Sequence, residues 1–252
     1  MDQLSQKFSE AFETNIWGGL SSRSGPGSTL DQTRIIIAEL PRLLRRLQIK
    51  TMLDIPCGDF FWMKEIRTEL EAVLSGYTGG DIVPRLINQN RERYQTPKIS
   101  FEVLNFVQDD LPKSDLILTR DCLIHLSFNR IADGLLNAQR SGSTYLLAST
   151  YTKPRPNLDI EEDVSLLGRA INLCASPFSF PEPMLLINEG CTEQEGQYND
   201  KSLGLWLLQD LQISRLHTRI RTRASWEKQR RSTQRLARVS RRVISAIYRR
   251  LR

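Results

Sequence analysis

The sequence predicts a doubly wound α/β fold, a mostly parallel sheet with helices on both faces, finished by an antiparallel pair at one edge and a basic helical tail. Three observations carry that expectation. Short apolar runs alternate with longer segments of mixed polarity between residues 51 and 150. Two later apolar runs are separated only by a polar, glycine-containing stretch, and positive charge gathers at the C-terminus.

In chain order, a loop at 17–28 comes first, with so much glycine, proline and serine that regular structure is not expected there. Thr29 or Asp31 stands where a helix cap belongs. Ile35, Ile36, Leu40, Leu43, Leu44 and Leu47 follow at helical spacing, with Pro41 as an expected kink. Buried strands are expected at 51–55, 72–80, 99–104, 115–119 and 144–150, and helices at 84–94 and 128–140. Runs 183–188 and 202–211 suit the antiparallel pair. The core is expected to end near Ile213, dividing the chain into a body at 1–214 and a tail at 215–252.

Charge supports the same division. Residues 215–252 hold fourteen Lys or Arg against one acid, Glu227, and so carry +13. The other 214 residues hold twenty-one basic and twenty-eight acidic side chains, a charge of −7. Within the tail, Leu236, Val239, Val243, Ile247 and Leu251 recur every three or four residues, with Ile244 and Tyr248 beside them. That pattern is a basic amphipathic helix, suited to an anionic membrane surface, to RNA, to a partner's groove, or to packing on the body.

Other classes are disfavoured. Cys57, Cys122, Cys174 and Cys191 form no CxxC pair, and only His125 and His217 are available as imidazole ligands, so no metal site is expected. Met1 to Glu13 lack the apolar stretch of a secretory signal, and no apolar run reaches membrane-spanning length. A cytoplasmic protein with reduced thiols is the expectation, peripheral at a membrane face if the tail binds one.

The chemistry is expected at successive strand tips. The first strand runs into DIPCGD at 54–59, where Asp54 is followed by a turn through Pro56, Cys57 and Gly58. A glycine there lets backbone N–H groups face a ligand, and ligands of open α/β sheets bind outside the strands' carboxyl ends. About twenty residues on, GGDI at 79–82 puts Asp81 where Rossmann-type sheets hold ribose hydroxyls, followed by Ile82. Asp81 also has the position of a helix N-cap. Asn105 and Phe106 end the third strand with an amide and an aromatic face suited to adenine. Past the fourth, Arg120, Asp121 and His125 cluster. His125 suits proton transfer near neutrality, and it also reads as an interior histidine.

DIPCGD, GGDI and DLILTRDCLIHLS at 115–127 together resemble motifs I, II and IV of class I S-adenosylmethionine-dependent methyltransferases, over roughly residues 17–211. The antiparallel edge pair is part of that likeness, and a dinucleotide dehydrogenase would carry the fuller GxGxxG set. Pro56 departs from the common DxGxG turn. A narrower group is similar in SGPGS at 24–28, DxPCGDxxWM, GGDIV, RDCLxHLS, INL at 171–173, and PF and PEP downstream. That group is linked with glycan modification, which implies a sugar hydroxyl or other small hydroxyl as acceptor.

By this resemblance S-adenosyl-L-methionine is the cofactor, held by Asp54, Pro56, Cys57, Gly58, Asp81, Ile82, Asn105, Phe106 and Arg120. Trp17 and Ser28 of the SGPGS loop would close over it. A sulfonium is already an activated methyl donor, so catalysis needs the acceptor in line and its proton removed. His125 is the expected base, with Asp121 orienting or assisting it. Tyr151, Asn157 and Asn172, in or beside the proline-rich stretch 151–183, are the expected acceptor contacts. Two other readings stay open: an RNA methyltransferase targeted by the tail, and a binding module without catalysis. The acidic body and the lack of an Asn-Pro-Pro-Tyr motif weigh against nucleic acid.

Overall fold

The computed structural model describes residues 3–160, 165–223 and 225. Strands β1 (Thr51–Asp54), β2 (Gly76–Asp81), β3 (Ile99–Val103), β4 (Leu116–Thr119), β5 (Tyr145–Tyr151), β6 (Leu185–Asn188) and β7 (Lys201–Leu207) form one sheet in the order β3-β2-β1-β4-β5-β7-β6. The first five strands pair in parallel, while β7 runs antiparallel to both β5 and β6. This is the doubly wound α/β sheet with an antiparallel edge that the alternating pattern predicts. Its strand order reverses beside β1, so the tips of β1 and β4 diverge and leave a crevice there.

Alternate residues of each strand serve opposite faces. Leu53, Ile55, Ile117, Leu146 and Ala148 join one buried cluster with Ile131 and Leu135 of the helix Phe128–Arg140. Met52, Leu116, Leu118 and Leu147 join the other with Ile36, Leu40 and Leu44 of the helix Leu30–Arg46.

Helices α4 (Pro84–Tyr94) and α5 (Phe128–Arg140) match their predicted bounds. Helix α2 (Leu30–Arg46) begins at Thr29, whose side chain accepts from the Gln32 N–H, so Thr29 rather than Asp31 is the cap. Pro41 does not break α2: it lies buried on the packed face, and the helix continues for five residues. Packing against β1 and β4 outweighs the loss of one N–H bond.

Three expectations need correction, and one helix was not expected. Residues 72–73 end helix α3 (Arg67–Val73), because Leu70 and Leu74 are buried at helical spacing, and β2 begins only at Gly76. The run 202–211 is strand only to Leu207, after which Leu208–Asp210 is a 3-10 turn. The glycine-rich loop contains a 3-10 turn at Pro26–Ser28, started by Pro26, whose fixed φ suits a helical first position. Helix α1 (Gln3–Thr14), unforeseen, packs Leu4, Phe8 and Phe12 inward at four-residue intervals.

Residues 215–223, assigned above to the tail, lie within a helix at 213–223 that buries Leu216 and Ile220 with the body. The stripe from Leu236 to Leu251 lies outside the described residues. Among the described residues no helix is long and apolar enough to cross a membrane.

Candidate active site

The crevice holds about 1130 Å³ of space not filled by atoms, counting its mouth. Every residue expected to hold a cofactor lines it: Trp17, Ser28, Asp54, Pro56, Cys57, Gly58, Asp81, Ile82, Asn105, Phe106 and Arg120. So do Asp121 and His125.

Parallel pairing puts the tip of β1 beside that of β2, with Asp54 opposite Gly79. The Cys57 N–H donates to the Gly80 carbonyl at 2.8 Å, and Gly58 N–H to Asp81 Oδ2 at 3.2 Å. The Val83 N–H donates to Asp81 Oδ1 at 3.0 Å, but Val83 itself is the N-cap of α4 and no side chain caps that helix, so Asp81 faces the crevice without being a helix cap. Gly58 has φ 56°, and a Cβ there would collide with Ser24 Oγ. The contact marks where the SGPGS loop meets the DIPCGD turn. Ser22 Oγ and the Arg23 N–H donate to the Asp59 carboxylate at 2.9 and 2.8 Å, and the Asp59 N–H donates to Ser24 Oγ at 3.0 Å.

Asp54 and Asp81 are 3% and 6% exposed, and neither has an ion-pair partner within 4 Å among the described residues. Tyr77 donates its hydroxyl to Asp54 at 2.7 Å. Burial pushes the Asp54 carboxyl up to about 7, against the pull of Tyr77 and Arg120, and pushes Asp81 up to about 6 despite its backbone donors. Asn105 turns its Oδ1 to the Val107 N–H at 2.9 Å, and Phe106 packs on Gly134 of α5.

The tip of β4 differs. Asp121 sits at φ 55° with its N–H on Ser149 Oγ at 2.9 Å, and a 3-10 turn at Leu123–His125 follows. Lys201 Nζ lies 2.5 Å from Asp121 Oδ2 and 3.5 Å from Glu189 Oε2. Arg120 reaches Glu189 Oε2 at 2.8 Å, the Gly27 carbonyl at 2.8 Å and Asp121 at 3.4 Å. Burial alone would raise the Asp121 carboxyl, but Lys201 and then Arg120 overcome it and hold it down to about 2. Burial likewise opposes charge on Arg120, and Glu189 and Asp121 outweigh it.

His125 is oriented by a backbone group rather than by Asp121. Its Nδ1 lies 2.9 Å from the Ser165 carbonyl. A carbonyl can only accept, so Nδ1 carries the proton and Nε2 keeps its lone pair. Burial lowers the tendency of His125 to protonate, against Ser165 and Asp121. The rings of Phe8 and Trp17 lie 6.0 Å from the imidazole, and Trp17 donates Nε1–H to the Leu166 carbonyl at 2.8 Å. Helix α1 and the 17–28 loop therefore roof the crevice.

The expected acceptor contacts do not reach it. Asn157 donates to the carbonyls of Asn172 and Ser176 at 2.8 and 2.9 Å and accepts from the Asn172 N–H, while Asn172 Oδ1 takes the Cys174 N–H. Both amides thus tie residue 157 to residues 172–176. Tyr151 is buried at the end of β5 against Tyr198, outside the lining. Glu189, Lys201, Ser165 and Phe8 were missed. Among the described residues, no cluster of His, Cys, Asp or Glu is placed to hold a metal ion.

No family model and no curated protein sequence matches this chain. Solved structures do. Human N-acetylserotonin methyltransferase in complex with SAM aligns over 81% of this chain and 58% of its own, at 14% identity and a TM-score of 0.54. The N-methyltransferase NodS from Bradyrhizobium japonicum WM9 aligns over 71% and 98%, at 14% identity and a TM-score of 0.45. Magnesium protoporphyrin IX methyltransferase from Synechocystis PCC 6803, with bound SAH, aligns over 60% and 72%, at 13% identity and a TM-score of 0.44. What the first of these shares with the present chain is its fold, the Rossmann-like sheet with an antiparallel edge.

Proposed function

We propose that this protein is an S-adenosylmethionine-dependent methyltransferase acting on a hydroxyl group, with a sugar hydroxyl favoured by the resemblance of its motifs. The observation that carries this reading is one crevice in which two buried carboxylates without cationic partners, Asp54 and Asp81, share walls with a neutral histidine. These residues fit the cofactor. The Asp81 oxygens accept backbone N–H groups of Gly58, Ile82 and Val83 and keep a lone pair for a ribose hydroxyl. Cys57 and Gly58 line the crevice with their N–H groups already taken by the Gly80 carbonyl and Asp81, so that turn brings Asp81 rather than free donors to the ligand, and Asn105 with Phe106 offers an edge and a face for adenine. Arg120 touches the crevice, but its donors hold Glu189 and the Gly27 carbonyl, which makes it a clamp for the roof.

The cofactor, when bound, supplies a methyl group on a positively charged sulfur that keeps the C–S bonding pair on departure. His125 Nε2 takes the acceptor's hydroxyl proton, which then passes to solvent, and Ser165 holds the tautomer that makes this possible. Phe8 and Trp17 exclude water from that position. The +13 tail is read as bringing the enzyme to an anionic membrane surface.

A labelled methyl donor offered with separate pools of glycan, RNA and small phenols tests the reading. Label is expected in the glycan pool. His125→Ala is expected to lower transfer roughly 100-fold or more, with cofactor affinity by calorimetry nearly unchanged. Equal loss of both would reassign His125 to cofactor binding or to the fold. Absence of any cofactor binding would remove the proposal.

A further inference from the structure

The turn that carries His125 is held by a single segment. Its three successive carbonyls all accept from residues 165–169: Arg169 Nη1 donates to Ile124 at 2.8 Å, the Ser165 N–H to His125 at 2.8 Å, and Arg169 Nη2 to Leu126 at 2.6 Å. The Arg169 N–H adds a longer bond to Ile124 at 3.3 Å, and Arg169 Nε reaches back to the Leu158 carbonyl at 2.7 Å. In return the Ser165 carbonyl takes Nδ1–H of the imidazole. The two stretches run close: a Cβ on Gly168 would stand 2.9 Å from Ile124 Cδ1 and 3.7 Å from His125 Cε1. The Leu166 carbonyl takes the Trp17 indole N–H, so the roof hangs from the same segment.

Apolar packing does not account for this arrangement. Leu158 and Leu167 are 67% and 82% exposed, so hydrogen bonds rather than burial of these side chains hold the segment. The Arg169 guanidinium lies 5.7 Å from the Phe128 ring and spends three of its five N–H groups on main-chain carbonyls, two of which flank His125. A planar fork brackets one residue in this way, and a point-like ammonium does not.

We propose that Arg169 is a positioning residue for proton transfer at His125: its guanidinium clips the 165–169 segment to the His125 turn and so keeps the Ser165 carbonyl where it fixes the tautomer with a bare Nε2. The proposal rests on the reading of His125 as the base. In that step the hydroxyl proton of the acceptor moves to Nε2, an oxygen lone pair forms the new bond to the methyl carbon, and the C–S pair stays on sulfur. A ring already protonated on Nε2 has no lone pair there to take the proton. An unconstrained neutral imidazole prefers the Nε2–H form, so the productive tautomer has to be imposed by the partner of Nδ1.

The chain has two histidines, and His217 is an internal control: its Nε2 lies 2.9 Å from the Asp133 carboxylate, so its neutral form holds the opposite tautomer. In the full chain, ring 15N shifts read above the titration range of both imidazoles give the tautomer of each. Wild-type His125 is expected as Nδ1–H. Arg169→Gln is expected to lower the ratio of Nδ1–H to Nε2–H at His125 roughly fivefold or more, the weight of one hydrogen bond, and to leave His217 in place. Arg169→Lys keeps the charge but loses the fork, and is expected to lower the ratio as well. Arg155→Gln controls for a loosened loop: it cuts the pair that Arg155 makes with Asp200 at 2.6 Å in the same proline-rich stretch, and His125 is expected to stay as it is. A wild-type tautomer in Arg169→Gln or in Arg169→Lys overturns the proposal, as does an equal change in Arg155→Gln. If Arg169→Gln does not fold, Arg169→Lys against Arg155→Gln decides by the same criteria. The readout needs neither cofactor nor acceptor, so it stands apart from the labelled-methyl assay. Transfer that survives His125→Ala removes the base reading, and with it the part of Arg169 in proton transfer, whatever the tautomer.

Discussion

The β1–β2 and β4–β7 ends of the crevice bury carboxylates in opposite ways. Asp54 and Asp81 have hydroxyl and backbone donors but no paired cation, and burial pushes them up to about 7 and about 6. Asp121, past the tip of β4, meets Lys201 and Arg120 and is held down to about 2. One end is electrostatically unfinished and the other is complete within the protein. A protein tolerates the first only where something else completes it, so the incomplete end marks the ligand and the complete end marks the fixed machinery.

The comparison is broken most severely by removing a member of the complete cluster. Glu189→Ala leaves Arg120 and Lys201 buried with Asp121 as their one remaining ion-pair partner among the described residues, and a loss of about 3–5 kcal/mol is expected in urea unfolding. Retention of wild-type stability would show that water compensates the cations. At the incomplete end binding suffers more than folding. Asp81→Asn removes an acid without a paired cation but turns its amide NH2 toward one of the backbone N–H groups that the carboxylate accepts. Stability near pH 7 is therefore expected to change by no more than about 2 kcal/mol, while S-adenosylmethionine affinity falls roughly 100-fold as charge-assisted bonds to the ribose are lost. Calorimetry checks both, and unaltered affinity would detach Asp81 from the ligand.

The smallest effect concerns pH. Asp54 and Asp81 have folded values raised above the ordinary 3.8, so their contribution to stability is complete below that value and is lost as pH rises through about 6 and 7. The ligand-free protein is expected to lose stability between roughly pH 4 and 7 through these groups. Ribose hydroxyls bond the ionised form, so affinity is expected to drop about tenfold from pH 8 to pH 5. Thermal unfolding with and without cofactor across that range measures both slopes, and a flat affinity profile would mean that the carboxylates are ionised throughout.

How far the sequence could be read followed the range of each interaction. Helices Pro84–Tyr94 and Phe128–Arg140 matched to the residue, since proline or serine at the start and a 3.6-residue period are local signals. The boundary near 72–76 failed for the same reason in reverse: the apolar AVL at 72–74 stands directly before the strand residues that follow it, and only the burial of Leu70 and Leu74 shows that it closes a helix. Asn157 and Asn172 looked like acceptor contacts because polar side chains in a proline-rich loop suit ligands. Their hydrogen bonds to the loop's own backbone could not be counted from the sequence.

By itself the sequence determined the strand tips and their turns, and with them the placing of Asp54, Gly58, Asp81, Arg120, Asp121 and His125 along one edge. Each of those placements depends on a few neighbouring residues and on the period of two along a strand. Tertiary structure alone decided who neutralises whom. Glu189 lies 69 residues from Arg120 and Lys201 lies 80 from Asp121, and the group that orients His125 is a main-chain carbonyl 40 residues away, which no residue type announces. The electrostatic role of a side chain depends on its partners and its burial, and those exist only once the chain has folded.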